Sequence, residues 1–245
     1  MELKVKRQRY DDASLIERGE ARAKNVVNKL KLGPDTLRGK RFLEIGCGFG
    51  EFCGAIEDLF GATAVGVDPT PRSHKGPFAD RPFYKRIDIT SDEALTLGQF
   101  DHAASFDVLE HVENPKKALE NIFAMLKPGG TAFLKYNLHR GASASHLIHQ
   151  TGVPWCHLVM SDEEIEALTL ERTGQARKPA WVNKATYAHY LIWFEEIGFI
   201  RHKTHYVTYP MDPEFYERHR EKLERYPMDD LEKNFMVVTV EKPGA

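Results

Sequence analysis

A short apolar run that ends in three alternating glycines constrains this chain more than any other feature. Residues 42–51 read Phe-Leu-Glu-Ile-Gly-Cys-Gly-Phe-Gly-Glu. The pattern is a buried strand, a turn built on Gly46, Gly48 and Gly50, and the start of a helix. Glycine at these positions lets the backbone take positive φ and come close to a ligand. The helix that follows presents free N–H groups and the positive end of its dipole to the turn. The next apolar run, Ala64–Val67, ends at Asp68, eighteen residues after Gly50. An acid at the tip of a second strand is placed to hold a ribose by its hydroxyls.

The rest of the chain repeats the alternation. A helix is expected from Asp12 to about Leu32, with Leu15, Ala21, Val26 and Leu30 as its apolar stripe and Gly33-Pro34 as its stop. Strands are expected at Arg41–Ile45, Ala64–Val67, Tyr84–Ile89, Ala103–Val108 and Thr131–Tyr136. Helices are expected at Glu51–Phe60 and Lys116–Leu126. A helix at Thr186–Ile197 and strands at Ile200–Val207 and Phe235–Glu241 follow. This is the pattern of an α/β fold with a parallel sheet covered on both faces. One domain is expected over 1–245, with 1–34 as an N-terminal arm and helix. Two stretches stand outside the alternation. Residues 137–182 form an insert after the fifth strand and 210–233 a second insert, and loops of this length are usually functional.

Composition narrows the function classes. Lys+Arg number 34 and Asp+Glu 36, a net charge of −2, which argues against a broad polyanion-binding surface. The basic run Lys4–Arg9 is read as a solvated arm. Cys47, Cys53 and Cys156 include no CxxC pair, so a reducing compartment is expected. No apolar run reaches the roughly 18 residues of a membrane span, and residues 1–20 lack the apolar core of a secretory signal. A cytoplasmic location is expected.

The glycine turn departs from a dinucleotide fingerprint. The sixth residue counted from Gly46 is Glu51, and counted from Gly48 it is Cys53, where Gly or Ala is required. Glu51 at the helix start would also repel a pyrophosphate. A ligand with a ribose and no phosphates fits better, and S-adenosylmethionine is one; its cationic sulfonium tolerates Glu44. From about residue 38 to 136, and again over 184–241, the chain resembles the class I S-adenosylmethionine-dependent methyltransferases. The resemblance rests on five motifs in order: Glu44-x-Gly46-x-Gly48-x-Gly50, Val67-Asp68, Arg86–Ile89, Phe106–Val112 and Leu126–Gly130. It implies a Rossmann-like, doubly wound sheet of seven mostly parallel strands in the order 3-2-1-4-5-7-6, the seventh antiparallel. It implies S-adenosyl-L-methionine as cofactor and S-adenosyl-L-homocysteine as product. It places Gly46, Cys47, Gly48 and Gly50 around the methionine and ribose, with Glu44 beside them. Asp68 and Pro69 meet the ribose, Asp88 and Ile89 the adenine, and Phe106, Asp107 and Val108 the methyl side.

The acceptor is less legible, because aligning acceptor, methyl and sulfur needs no shared catalytic residue. A base is needed where a hydroxyl must lose its proton. Four of the eleven histidines, His139, His146, His149 and His157, lie within nineteen residues of the first insert. Histidine takes a proton near neutral pH. His111, His146 and His149 are the candidate bases, and Tyr136, His139, Trp155 and His157 the candidate acceptor contacts. The Trp155 turn is read as a lid. Asp107-x-x-Glu110-His111 resembles the metal-binding E-x-x-E-H of ubiquinone-pathway O-methyltransferases and small-RNA 2′-O-methyltransferases, but with Asp at its first position, and no metal is expected. The expected activity is methyl transfer to a small organic acceptor, oxygen favoured over nitrogen. An RNA or protein methyltransferase, metal-assisted or not, is the alternative, and a non-catalytic cofactor-binding partner protein is a third. Neither a nucleic-acid nor a membrane partner is expected, and a homodimer through the N-terminal helix or 210–233 is compatible with the sequence.

Overall fold

Helix α1 (Asp12–Lys29) starts where the Asp11 side chain accepts a hydrogen bond from Ser14 N–H at 2.9 Å, an N-cap that satisfies one of the free N–H groups of the first turn. The structure, a computed structural model, describes residues 11–72 and 76–244, and the Lys4–Arg9 run lies outside them. The buried face of α1 is Leu15, Gly19, Ala23, Val26 and Val27 rather than a stripe through Ala21. Gly19 is the reason. A Cβ there would lie 2.1 Å from the Glu51 carbonyl oxygen, so α1 rests its backbone directly on the start of the next helix.

Strand β1 (Arg41–Ile45) leads through the glycine turn into α2 (Glu51–Phe60), which Gly61 ends in the left-handed conformation. Then come β2 (Thr63–Val67), β3 (Tyr84–Lys85), β4 (Phe100–Phe106), α3 (Pro115–Met125) and β5 (Leu126–Asn137). The first insert holds α4 (Ile148–Thr151), α5 (Cys156–Val159) and α6 (Asp162–Thr173). After α7 (Tyr187–Ile197) and β6 (Ile200–Thr208), the second insert holds α8 (Pro213–Arg218), α9 (Arg220–Leu223) and α10 (Met228–Glu232) before β7 (Lys233–Glu241). The seven strands form one sheet in the order β3-β2-β1-β4-β5-β7-β6. The first five are parallel, and β7 runs antiparallel to both β5 and β6. This is the order the resemblance implies. Two apolar cores cover the sheet, one beneath α3 and α7, the other beneath α1 and α2.

The third and fifth strands differ most from expectation; the fourth is shifted to Phe100–Phe106 and the last begins at Lys233. The third is two residues long instead of six. Ile87 N–H bonds back to the Lys85 carbonyl at 3.0 Å, and Asp88 takes the Thr90 N–H at 2.8 Å. These local bonds divert the chain from the ladder, as Asp side chains do in turns. The fifth strand starts at Leu126 rather than Thr131, because Leu126 already pairs with Phe100.

The two inserts pack together. Trp155, fully buried, is the centre of a third core shared by Ile148 and Leu158 of the first insert and Leu223 and Leu231 of the second. Its indole N–H donates to the Leu231 carbonyl at 3.0 Å. Tyr209 stands edge-on to the ring at 5.4 Å. The Arg140–Asp230 ion pair ties the inserts together again. They form one cap, seated over the carboxyl ends of β1, β4 and β5.

Two expectations follow for stability. Trp155→Ala removes the centre of the cap core and should cost about 3–5 kcal/mol in urea unfolding. Within the cap, burial holds His157 at about 4 and His139 at about 3, below the ordinary imidazole value of 6.5. Under the sheet, burial also lowers His102 to about 4. The unfolded chain takes up protons that these folded groups refuse, so their contribution is complete above about 6.5 and is lost as pH falls toward 4. The melting temperature should fall between pH 7 and pH 4, and His157→Gln should flatten part of that fall.

Candidate functional site

Strand order reverses between β1 and β4, so the connections leaving their carboxyl ends diverge to opposite faces of the sheet and leave a crevice. A cleft of about 1550 Å³ opens there. The glycine turn forms its floor. Gly46, Gly48 and Gly50 have φ of 74°, 48° and 73°. A Cβ on Gly46 would sit 2.1 Å from Val108, and one on Gly50 would sit 2.4 Å from the Tyr84 hydroxyl. At Gly48 a Cβ would meet nothing within 4 Å, so this residue faces the open cleft. Gly48 is clamped on both sides. Its N–H donates to Asp68 Oδ2 at 3.0 Å, and its carbonyl accepts from Arg72 N–H at 2.8 Å. Asp68 Oδ1 accepts the Thr70 N–H at 2.8 Å. Both Asp68 oxygens are thereby oriented, with lone pairs left for a ligand.

The next loop repeats the device. Asp88 Oδ1 accepts from Thr90 N–H at 2.8 Å and Thr90 Oγ1 at 2.9 Å. Beside it, Asn121 Nδ2 holds the backbone by donating to the Ile89 carbonyl at 2.8 Å. Ile87 and Ile89 form the apolar wall. Across the cleft, Asp107 follows β4 with φ of 57°, an uncommon conformation for a residue with a side chain. Lys135 Nζ holds its carboxylate at 2.7 Å, and Arg22 stands 3.7 Å away. Arg18 and Arg22 reach from α1 to buried Glu51 at 2.7 and 2.8 Å. With Arg72 they are the arginines of this end, set among the carboxylates of Glu51, Asp68, Asp88 and Asp107.

The cap end differs in chemistry. Asn137, Ser143, His146, Ile148, His149, Tyr209, Asn234 and Phe235 line it. Beneath them Glu110, His111 and His146 bring one ligand atom each within 4.8 Å of one another, a spacing that can hold a metal ion. His111 Nδ1 lies 3.0 Å from the Trp181 carbonyl. A carbonyl only accepts, so Nδ1 carries a proton, and in the neutral tautomer Nε2 is the nitrogen with the lone pair. The His146 ring is 4.8 Å from that of His111 and has φ of 58°. Burial, and then the neighbouring His111, push the His146 value down. Burial raises Glu110 to about 8, and its Oε2 has no hydrogen-bond partner among the described residues.

Of the residues singled out from sequence, Gly46, Cys47, Gly48, Asp68, Pro69, Asp88, Ile89, Phe106, Asp107 and Val108 line one half of this cleft. His111, His146 and His149 line the other half. Gly50 shapes the turn from behind, against Tyr84 and Phe83. Glu44 is also behind it, 2% exposed, accepting from Cys53 Sγ at 3.1 Å, and is a prop rather than a lining group.

Four expected acceptor contacts lie elsewhere. Tyr136 is fully buried in the main core, its hydroxyl 3.1 Å from Met236 Sδ. Trp155 is the cap core. His157 Nε2–H donates to the His139 carbonyl at 2.8 Å, and the two rings pack together inside the cap. Their sequence neighbourhood is that of the cleft, but packing turns these side chains away from it. Arg18, Arg22, Asn137, Ser143, Tyr209 and Asn234 were not anticipated. The spacing of Arg18 and Arg22, four apart beside the buried stripe of α1, was the available signal for those two.

One consequence concerns Glu44. Burial, with the nearby Glu51 charge, raises it to about 8. A carboxyl whose folded value lies above its unfolded one costs stability as pH rises from about 4.5 toward 8. Glu44→Gln should match the wild type near pH 4.5 in thermal melts and exceed it increasingly up to pH 8.5.

Comparison with known proteins agrees with this architecture. A family model described as a methyltransferase domain matches residues 17–212. An uncharacterized methyltransferase of Mycobacteroides abscessus is 35% identical over 119 residues, covering 45% of this chain and 44% of that protein. A ubiquinone biosynthesis O-methyltransferase of Dechloromonas aromatica is 30% identical over 105 residues, covering 40% and 45%. The chain spans about half the length of the curated relatives it matches. In fold it is similar to the S-adenosylmethionine-dependent methyltransferase of Mesorhizobium loti, with 18% identity and TM-score 0.53 over 89% of this chain and 97% of that one. A methyltransferase of Archaeoglobus fulgidus has 17% identity and TM-score 0.54 over 93% and 94%. With the family model spanning most of its length and the seven-stranded order in place, the chain belongs to the class I S-adenosylmethionine-dependent methyltransferases.

Proposed function

We propose that this chain transfers a methyl group from S-adenosylmethionine to an oxygen of a small organic acceptor. The observation that carries the reading is the continuity of the cleft. One cavity joins the glycine-and-acid half to the histidine-and-asparagine half, and the cap walls the latter. The ubiquinone biosynthesis O-methyltransferases among the relatives, named for a small-molecule pathway, support it.

The residues fit the cofactor. Open space at Gly48 admits its backbone-hugging portion, and the oriented Asp68 carboxylate suits two ribose hydroxyls. Asp88 and Ile89 offer an acceptor and an apolar wall for adenine. Arg18, Arg22 and Arg72 suit the methionine carboxylate. When bound, S-adenosylmethionine supplies a methyl group already activated by its sulfonium. The chain then has to orient the acceptor and take its proton. His111 Nε2, with its tautomer set by the Trp181 carbonyl, is the base in this reading, and His146 packs on its ring. Asp107, held by Lys135, lines the methyl side.

A second reading rests on Glu110 and His146, whose Oε2 and Nε2 are buried without a hydrogen-bond partner among the described residues. Together with His111 they would hold a divalent cation, which would polarise the acceptor oxygen in place of a base. The reading also includes a cytoplasmic location. No helix of the described residues is long and apolar enough to cross a membrane, and the three cysteines form no disulfide.

Asp68→Ala should weaken S-adenosylmethionine binding by about 2–4 kcal/mol in calorimetry, because two charge-assisted bonds are lost. An unchanged dissociation constant would remove Asp68 from the cofactor site. For the activity, the protein is incubated with methyl-labelled S-adenosylmethionine and a cell extract, with and without chelator. Label in the small-molecule fraction is expected. Label in RNA or protein would replace this reading with the macromolecular one, and loss of label with chelator would establish the metal.

A further inference from the structure

Where the cap meets the sheet, three polar residues from distant parts of the chain converge. Asn137 ends β5, Ser143 lies in the first insert, and Asn234 opens β7. Asn137 is 4% exposed and Asn234 7%. Asn234 Oδ1 accepts both Ser143 N–H and Ser143 Oγ–H at 2.9 Å. A backbone N–H can only donate, so this bond fixes which end of the Asn234 amide is oxygen. Its Nδ2 is left with no protein partner among the described residues, in a residue that lines the cleft. The Ser143 hydroxyl has one proton, which Asn234 takes. Asn137 Oδ1, 3.3 Å from the same hydroxyl, is its second and longer acceptor, so the Asn137 Nδ2 is also left without a protein partner among the described residues.

Asn137 also donates its backbone N–H to Glu110 Oε1 at 3.2 Å, and His146 N–H bonds to the Ser143 carbonyl at 2.9 Å. The cluster therefore borders the histidines directly. No function described above uses it. It is more than a cap hinge: anchoring consumes Asn234 Oδ1, whereas the amide N–H groups remain. The Asn234 N–H₂ faces the cleft without a protein partner among the described residues, so it is free to donate to a ligand oxygen.

We propose that Asn137, Ser143 and Asn234 form the acceptor-recognition subsite, and that they select an acceptor carrying a neutral oxygen in addition to the oxygen that is methylated. The proposal rests on the methyltransferase reading and goes one step further, to what the acceptor looks like. The Asn234 amide donates to that second oxygen, which belongs to a hydroxyl, ether or carbonyl group. Charge argues for a neutral group. The arginines that line the cleft, Arg18, Arg22 and Arg72, come from α1 and the loop after β2, and none comes from the two inserts. Lys135, over the Phe235 ring, is already held by Asp107 at 2.7 Å, so a carboxylate or phosphate at the cap end would meet no unpaired lysine or arginine among the described lining residues to offset its desolvation.

Asn234→Asp separates recognition from anchoring. The aspartate keeps an oxygen for Ser143 N–H and Oγ–H and replaces only the free N–H₂ with a second acceptor. The labelled product is isolated from extract with the wild-type enzyme, its unlabelled precursor is purified, and the kinetics are measured with that compound. The expected result is an acceptor KM about tenfold higher or more for Asn234→Asp, the loss of one donor and gain of a repulsive oxygen. The dissociation constant for S-adenosylmethionine should stay unchanged, which separates lost acceptor recognition from damage to the cofactor half; the buried carboxylate itself lowers the melting temperature. Asn234→Ala should lower the melting temperature as well, because it orphans Ser143 N–H. An unchanged acceptor KM in Asn234→Asp overturns the subsite, as does a precursor that carries a carboxylate or phosphate or has a single oxygen. No labelled small molecule with the wild-type enzyme overturns the small-molecule reading on which the subsite rests.

Discussion

The bond from Gly48 N–H to the Asp68 carboxylate, 3.0 Å long, joins the two loops on which the cleft depends. It exists because the turn after β1 runs through left-handed backbone that aims the Gly48 N–H outward. It places Asp68 because β2 pairs in register with β1, Val67 beside Ile45. Arg72 N–H closes the other side of Gly48. A side chain at Gly46 or Gly50 would collide with Val108 or Tyr84, so neither the turn nor the cleft floor could form as observed. The fold supplies the rest: the switch in strand order opens a crevice at this point and at no other along the parallel part of the sheet.

The two ends of the cleft are built by different means. The glycine end is made of backbone geometry and short-range side-chain turns at Asp68 and Asp88. The cap end is made of long-range packing, with Trp155 at the centre of a core that neither insert could form alone. Charge divides the same way. Three arginines face the glycine end, whereas the cap end presents amides, a hydroxyl and imidazoles, with a buried carboxyl whose value is raised to about 8. An anionic group and a neutral one are thereby directed to opposite ends of one cavity.

That division explains what could be read from the sequence. The glycine turn, Asp68, Asp88 and the strand–helix alternation are local in the chain, so spacing revealed them. The third strand misled because Tyr84–Ile89 has a strand-like apolar pattern, whereas Asp88 and Thr90 turn the backbone there. The cap resisted reading because it joins residues some eighty apart. His139, Trp155 and His157 share a segment with His146 and His149, and only packing within the cap decides which of them face the cleft. Trp155 turns to Leu231, and His157 to the His139 carbonyl. Asn234 carries no signal at all until β7 pairs beside β5 and brings it to Ser143.

The most direct test of a single cleft with two specialised ends is a crystal structure with S-adenosylhomocysteine. The account predicts ribose hydroxyls within hydrogen-bond distance of both Asp68 oxygens, the adenine against Ile89, and the carboxylate on the arginines of the glycine end. The sulfur should point toward His111 and Asn137. Ribose away from Asp68, or adenine beneath the cap, would contradict it.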